Sequence, residues 1–227
     1  TNFGTYTWDK IMINVKQFFD ALRDQGVSNF SGVPDSLLKN ICAYISDNTT
    51  PIQHLITANE GSAVALAVGQ YITTGQPSLV YMQNSGFGNA INPLLSLADA
   101  EVYSVPMIVM IGWRGEPGIK DEPQHVKQGA IMEQLLEACD LPTIIIDADT
   151  DCIDEVLRSA VGQAINRSRP VILLVRKGTF EPYELKNTSP DISKESREDA
   201  IKMVVEASGS EDIFVSTTGM ASRELFE

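Results

Sequence analysis

Six short runs of mainly apolar residues recur along this chain, each separated from the next by a stretch with helical spacing. That alternation constrains the fold more than any other feature. The runs are VSNFSG, IQHLITA, SLVYM, VPMIVMIG, TIIID and PVILLVR. Around them INVKQFFDALRDQG, VPDSLLKNICAYISDN, residues 60–75, part of GNAINPLLSLAD, QHVKQGAIMEQLLEAC and DCIDEVLRSAVGQAINR repeat apolar residues at the period of a helix. Pro34 and Asp35 read as the opening of the second of these helices. Uniformly apolar strands are buried on both faces, and parallel neighbours need crossover connections, usually helical. The expected class is α/β: an open, mostly parallel six-stranded sheet with helices on both faces.

In such a sheet the loops that follow strands gather at the carboxyl edge, where open α/β sheets bind ligands. Those loops are SGVPDS, TANEG, MQNSGFGN and IGWRGEPGIKDEPQH. The overall charge narrows the ligand class. A net charge of -13 repels a phosphate backbone, and no basic stripe compensates, so nucleic acid is not an expected partner. No apolar run reaches the roughly 18 to 20 residues of a membrane span. Cys42, Cys139 and Cys152 are widely spaced, form no pair motif and have no nearby His to complete a metal set. They read as reduced core residues of a cytoplasmic protein.

Four regions are expected. Residues 1–11 read as a lead or tag remnant and residues 12–178 as the main domain. Residues 179–195 are polar and without period, as a linker is. Residues 196–227 begin a second α/β unit, with REDAIKMVVEAS as a helix and DIFVSTTGM as a strand and turn. That piece is too short to bury a core, so the chain is expected to be part of a longer protein or to need a partner.

Each loop has a structural and a chemical reading. Glu60, at the start of a long and almost uncharged helix, is either a favourable first-turn acid or a catalytic carboxylate. Asp35 and Ser36 are helix caps, or Asp35 is an acid or base. Asn84, Ser85 and Gly86 form a plain turn or a close approach to a ligand. The charged loop carries Arg114, Glu116, Lys120, Asp121, Glu122, His125 and Lys127, either as a solvated surface or as a site for a small, multiply charged anion. His54, inside a strand pattern, reads as structural.

Taken together, GVPDS, ITANEGSAVALAVG, YMQNSGFGNAINPLLSLAD and MIGWRGEPGIKDEPQH, in this order and spacing, resemble the pyrimidine-binding domain of the thiamine diphosphate-dependent 2-oxo acid decarboxylases. The resemblance covers about residues 12–227. Its specific part is the GWRGEPG…DEPQH loop, because the Glu-bearing helix is shared by much of the superfamily. It implies that residues 12–178 are the pyrimidine domain and residues 196–227 an incomplete start of the diphosphate-binding domain.

For Glu60 the resemblance implies a hydrogen bond to the ring nitrogen of the cofactor's aminopyrimidine, favouring its imino tautomer. Ala63, Val64, Ala65 and Leu66 make a dry setting for that bond. Pro34, Asn84, Ser85 and Gly86 are implied to lie along the cofactor. Asp35, Ser36, Arg114, Lys120 and His125 would face the substrate, with Arg114 and Lys120 on its second anionic group. Asp35 or His125 would supply the proton that completes the aldehyde product. The implied reaction is loss of carbon dioxide from 3-phosphonopyruvate to give phosphonoacetaldehyde. Sulfopyruvate as substrate, or a non-catalytic binding module of the same fold, are the alternatives. The family holds Mg2+ and the diphosphate with a Gly-Asp-Gly motif and a downstream Asn in its second half, and this chain has no such motif. The family's active site lies between subunits. The expected assembly is therefore a homo-oligomer, at least a dimer, and the chain alone is expected neither to hold the cofactor well nor to turn over.

Overall fold

The computed structural model describes residues 12–187, 195–217 and 219–226. The lead and part of the linker lie outside the described residues. The chain divides into two compact units, Thr1–Asn187 and Thr188–Glu227.

The first unit is an α/β sheet built in the order β2-β1-β3-β4-β6-β5. Its strands are β1 (Asn29–Gly32), β2 (His54–Ile56), β3 (Ser78–Gln83), β4 (Met107–Gly112), β5 (Thr143–Ile146) and β6 (Pro170–Val175). Every pairing is parallel, so the sheet is wholly rather than mostly parallel. Alternation along the central strands divides the core in two, because successive side chains point to opposite faces. Leu79, Tyr81, Ile108, Met110, Val171 and Leu173 face α1 (Val15–Asp24), α2 (Lys39–Asp47) and α7 (Ile153–Arg167). Val80, Met82, Val109, Ile111, Ile172 and Leu174 face α3 (Glu60–Thr74), α4 (Phe87–Pro93) and α6 (Met132–Ala138). Both faces are covered, which is why these strands read as unbroken apolar runs.

Strand order positions the site. From β1 the chain passes through α2 on one face to the edge strand β2, then through α3 on the other face to β3, on the far side of β1. The loops after β1 and β3 therefore leave toward opposite faces and open a crevice between them at the carboxyl edge.

Four sequence expectations need correction. The second helix begins at Lys39 rather than at Pro34, because Asp35 Oδ2 accepts the Leu37 N–H at 3.0 Å and folds residues 35–38 into an Asx-type turn. The helical pattern after the charged loop is two helices, α5 (Pro123–Ala130) and α6, broken at Ile131. Trp113 Nε1 donates to the Gly129 carbonyl at 2.9 Å, and that carbonyl would accept from residue 133 in a continuous helix. Cys152 is exposed before α7 and is not a core residue, whereas Cys42 is buried and Cys139 half-buried. Finally, residues 212–217 pair with no strand among the described residues, and a strand needs a neighbour to exist.

His54 is structural. Its Nε2 lies 2.7 Å from the Tyr81 hydroxyl, and burial lowers its pKa and raises that of the tyrosine. Residues 179–187 lie on the first unit. Phe180 is buried edge-on to Phe18 with centroids 5.0 Å apart. Asp47 accepts the Tyr183 hydroxyl at 3.0 Å and the N–H groups of Lys186 and Asn187, each at 2.8 Å.

Within the second unit, α8 (Arg197–Ala207) starts at a capping box formed by Ser196 and Asp199. Arg197 Nε donates to Glu224 Oε2 of α9 (Met220–Phe226) at 2.7 Å. No helix among the described residues is long and apolar enough to cross a membrane.

Candidate active site

Glu60 is the first residue of α3 but not its cap. Asn59 takes that duty, its Oδ1 accepting the Ser62 N–H at 2.9 Å. The side-chain cap is therefore not Glu60, which remains an acid in the first turn at the positive end of the helix dipole. Its carboxylate is buried and turned toward the loop after β3. Oε2 accepts from Asn89 Nδ2 at 2.8 Å. Oε1 lies against Gly86, where a Cβ would come within 2.0 Å of it, so only glycine leaves this oxygen in place.

The loops after β1, β3 and β4 are tied together. Asn84 is buried, and its side-chain amide pairs with the main chain of Arg114. Oδ1 accepts the Arg114 N–H at 3.0 Å and Nδ2 donates to its carbonyl at 2.8 Å. The Arg114 guanidinium donates through Nε to Asp121 Oδ2 at 2.7 Å, through a second nitrogen to Asp121 Oδ1, and through the third to Ser36 Oγ at 2.8 Å. Asp121 also accepts the N–H groups of Gly115 at 2.9 Å and Glu122 at 2.8 Å. The Arg114 hydrogen bonds hold the Asp121 carboxyl well below the usual carboxylate range, and the same pairing raises the arginine.

Asp35 sits over the end of β4, where a Cβ on Gly112 would lie 2.1 Å from its Oδ2. It is 5% exposed, and its Oδ1 is buried without a hydrogen-bond partner. Burial pushes its pKa above the usual value, against the opposing pull of the Leu37 N–H and the Arg114 charge.

Of the residues singled out in the sequence, Ser36, Asn84 and Arg114 thus share one hydrogen-bonded network, Asp35 lies beside it within the field of Arg114, and Gly86 touches Glu60. Ser85 is exposed and accepts from Gln83 Nε2 at 2.5 Å; the same nitrogen lies 3.5 Å from Nδ1 of the half-buried His125. Pro34 and Lys120 are exposed, and Lys120 makes no ion pair among the described residues. Arg176, after β6, lies 2.8 Å through Nε from Glu116 and braces the charged loop from the other side.

Asn89, Gln83 and Gly112 have structural roles here that the sequence pattern does not assign, and in the sequence Asp121 is one charge among several. For Asp121 a signal existed, an acid seven residues from Arg114 across a loop with Gly115 and Gly118. For Asn89 it was the polar residue three positions after Gly86 in GFGN. Among the described residues there is no group of three or more His, Cys, Asp or Glu that could hold a metal ion.

Residues 14–136 match the family model described as thiamine pyrophosphate enzyme, N-terminal TPP binding domain. The chain is 32% identical over 231 residues to phosphonopyruvate decarboxylase of Streptomyces viridochromogenes, covering 95% of this chain and 57% of that protein. It is 30% identical to the sulfopyruvate decarboxylase subunit alpha of Methanococcus maripaludis, covering 69% of this chain and 90% of the subunit. A similar fold occurs in benzoylformate decarboxylase from Polynucleobacter necessarius, with a TM-score of 0.57 and 19% identity, over 86% of this chain and 36% of that one. The chain thus spans 57% of the length of the first of these relatives.

Proposed function

This chain belongs to the thiamine pyrophosphate enzymes through their N-terminal TPP binding domain, and from that premise we propose that it is the cofactor-activating part of a phosphonopyruvate decarboxylase. The observation that carries the proposal is the buried Glu60 carboxylate, relieved of capping by Asn59 and seated against Gly86 at the carboxyl edge.

The residues fit the pyrimidine end of the cofactor. The glycine against Oε1 puts no side chain over that oxygen, and the buried carboxyl can hydrogen-bond a ring nitrogen. Thiamine diphosphate, when bound, supplies the electron sink that lets a 2-oxo acid lose carbon dioxide. Asp35 is assigned the proton that completes the aldehyde, since burial raises its pKa and Oδ1 has no partner. His125 is the second candidate for that role.

Recognition of the phosphonate divides between two kinds of group. The Arg114–Asp121 pair is close to neutral, so Arg114 contributes directed N–H donors rather than net charge. Lys120, exposed beside it, contributes the charge. Pro34, Ser36, Asn84 and Ser85 shape the walls, Asn84 by fixing the main chain at Arg114. The proposal includes magnesium, held with the diphosphate by residues outside this chain, a homo-oligomer of at least two copies, and a cytoplasmic location. Sulfopyruvate is the second reading, favoured by the coverage of 90% of the archaeal subunit.

The test is carbon dioxide release by the full-length enzyme with thiamine diphosphate and magnesium. Faster release from phosphonopyruvate than from sulfopyruvate or pyruvate is the expected result. Preference for sulfopyruvate selects the second reading, and no release from any of the three rejects both.

A further inference from the structure

Glu60 has a polar neighbour besides Gly86. Asn89 reaches it from α4, 29 positions later, and donates to Oε2 at 2.8 Å. The contact is built into the backbone. A Cβ on Gly61 would lie 2.7 Å from the Asn89 carbonyl oxygen, so the first turns of α3 and α4 touch directly beside this pair. Pro93 is four residues after Asn89 and has no N–H, so the Asn89 carbonyl has no helical donor at that position. Gly86 lies against Oε1 and places no side chain over it.

We propose that Asn89 is a positioning residue for Glu60. It occupies Oε2, fixes the plane of the carboxylate and leaves Oε1 as the oxygen for the cofactor ring. The inference rests on the assignment of Glu60 as the cofactor-activating residue. An amide suits the task because it donates a directed hydrogen bond to a carboxylate without adding charge. A lysine there would neutralise the acid, and an aspartate would repel it.

The experiment compares Asn89→Ala, Asn89→Asp and Glu60→Gln in the full-length enzyme. Three quantities are read: the Glu60 side-chain conformation in cofactor-free crystals, the dissociation constant for thiamine diphosphate with magnesium, and deuterium exchange at the cofactor's reactive C2–H without substrate. Asn89→Ala is expected to release the Glu60 carboxylate into a second rotamer and to slow C2–H exchange about 100-fold, as a misplacement near 1 Å does. The cofactor dissociation constant should change little, since the diphosphate contributes most of the affinity. Asn89→Asp keeps the shape and removes the donor, so it should slow exchange at least as much even if the alanine variant folds poorly. Unchanged Glu60 conformation and exchange in both Asn89 variants, with exchange lost in Glu60→Gln, would overturn the positioning role and leave the Glu60 assignment standing. Unchanged exchange in Glu60→Gln would overturn both.

Discussion

A buried carboxylate with one unpartnered oxygen, that of Asp35, is the most informative feature of the site at the scale of single residues. Burial raises the Asp35 pKa above its ordinary 3.8, so the folded state holds a proton that the unfolded chain has released. Stability therefore falls as pH rises from about 3.8 through the raised folded value, because the native state binds more protons in that window. Asp35→Asn removes this penalty. Its thermal midpoint at pH 7 is expected to exceed that of the native chain, with the gain vanishing below pH 3.8, while decarboxylation by the full-length enzyme is lost. Thermal scans across pH read the first and carbon dioxide release the second. Glu60 was legible in the sequence as a lone acid at a helix start. Beyond what the family resemblance implies, its local role was not, because Asn59 and Glu60 both suit a helix start and only the three-dimensional turn shows that Asn59 caps. Asp35 misled for the same reason: a Pro-Asp pair signals a helix start as readily as an Asx turn, and the choice depends on Leu37.

Elements formed by local periodicity were readable, and those formed by distant partners were not. The inner strands β3, β4 and β6 follow from apolar runs that a doubly covered sheet buries, while the edge strands β2 and β5 keep exposed positions. The break at Ile131 depends on Trp113 reaching Gly129 across 16 positions, which no window along the sequence contains. The charged loop is similar: its composition suggests a solvated surface, yet Asp121 gathers Arg114 and two main-chain N–H groups into one fold. Both side chains are largely shielded, at 19% and 11% exposure, so solvent weakens the pairing less than on an open surface. Asp121→Asn is expected to cost on the order of 2 kcal/mol in denaturant unfolding, the scale of lost charge-assisted hydrogen bonds. It should also raise KM for phosphonopyruvate in the full-length enzyme, through Arg114, more than it lowers kcat.

On the scale of the whole chain, each of the two units must be understood by itself. In the first, the polar run after β6 has no period, yet its beginning is held in place by one acid at the end of α2. Asp47→Ala frees the main chain at Lys186 and Asn187 and releases the Tyr183 hydroxyl. Limited proteolysis should then cut within residues 181–187 much faster than in the native chain, with the sheet left intact. The tie between Asn84 and residue 114 has a different kind of consequence. It grips only the N–H and carbonyl of that position and never its side chain. That clasp is therefore indifferent to what residue 114 is, so long as it has an N–H. The pairing of the guanidinium with Asp121 and Ser36 is a separate tie that goes with the side chain. An exchange at residue 114 would loosen the charged loop while the loops after β3 and β4 stay joined through the main chain.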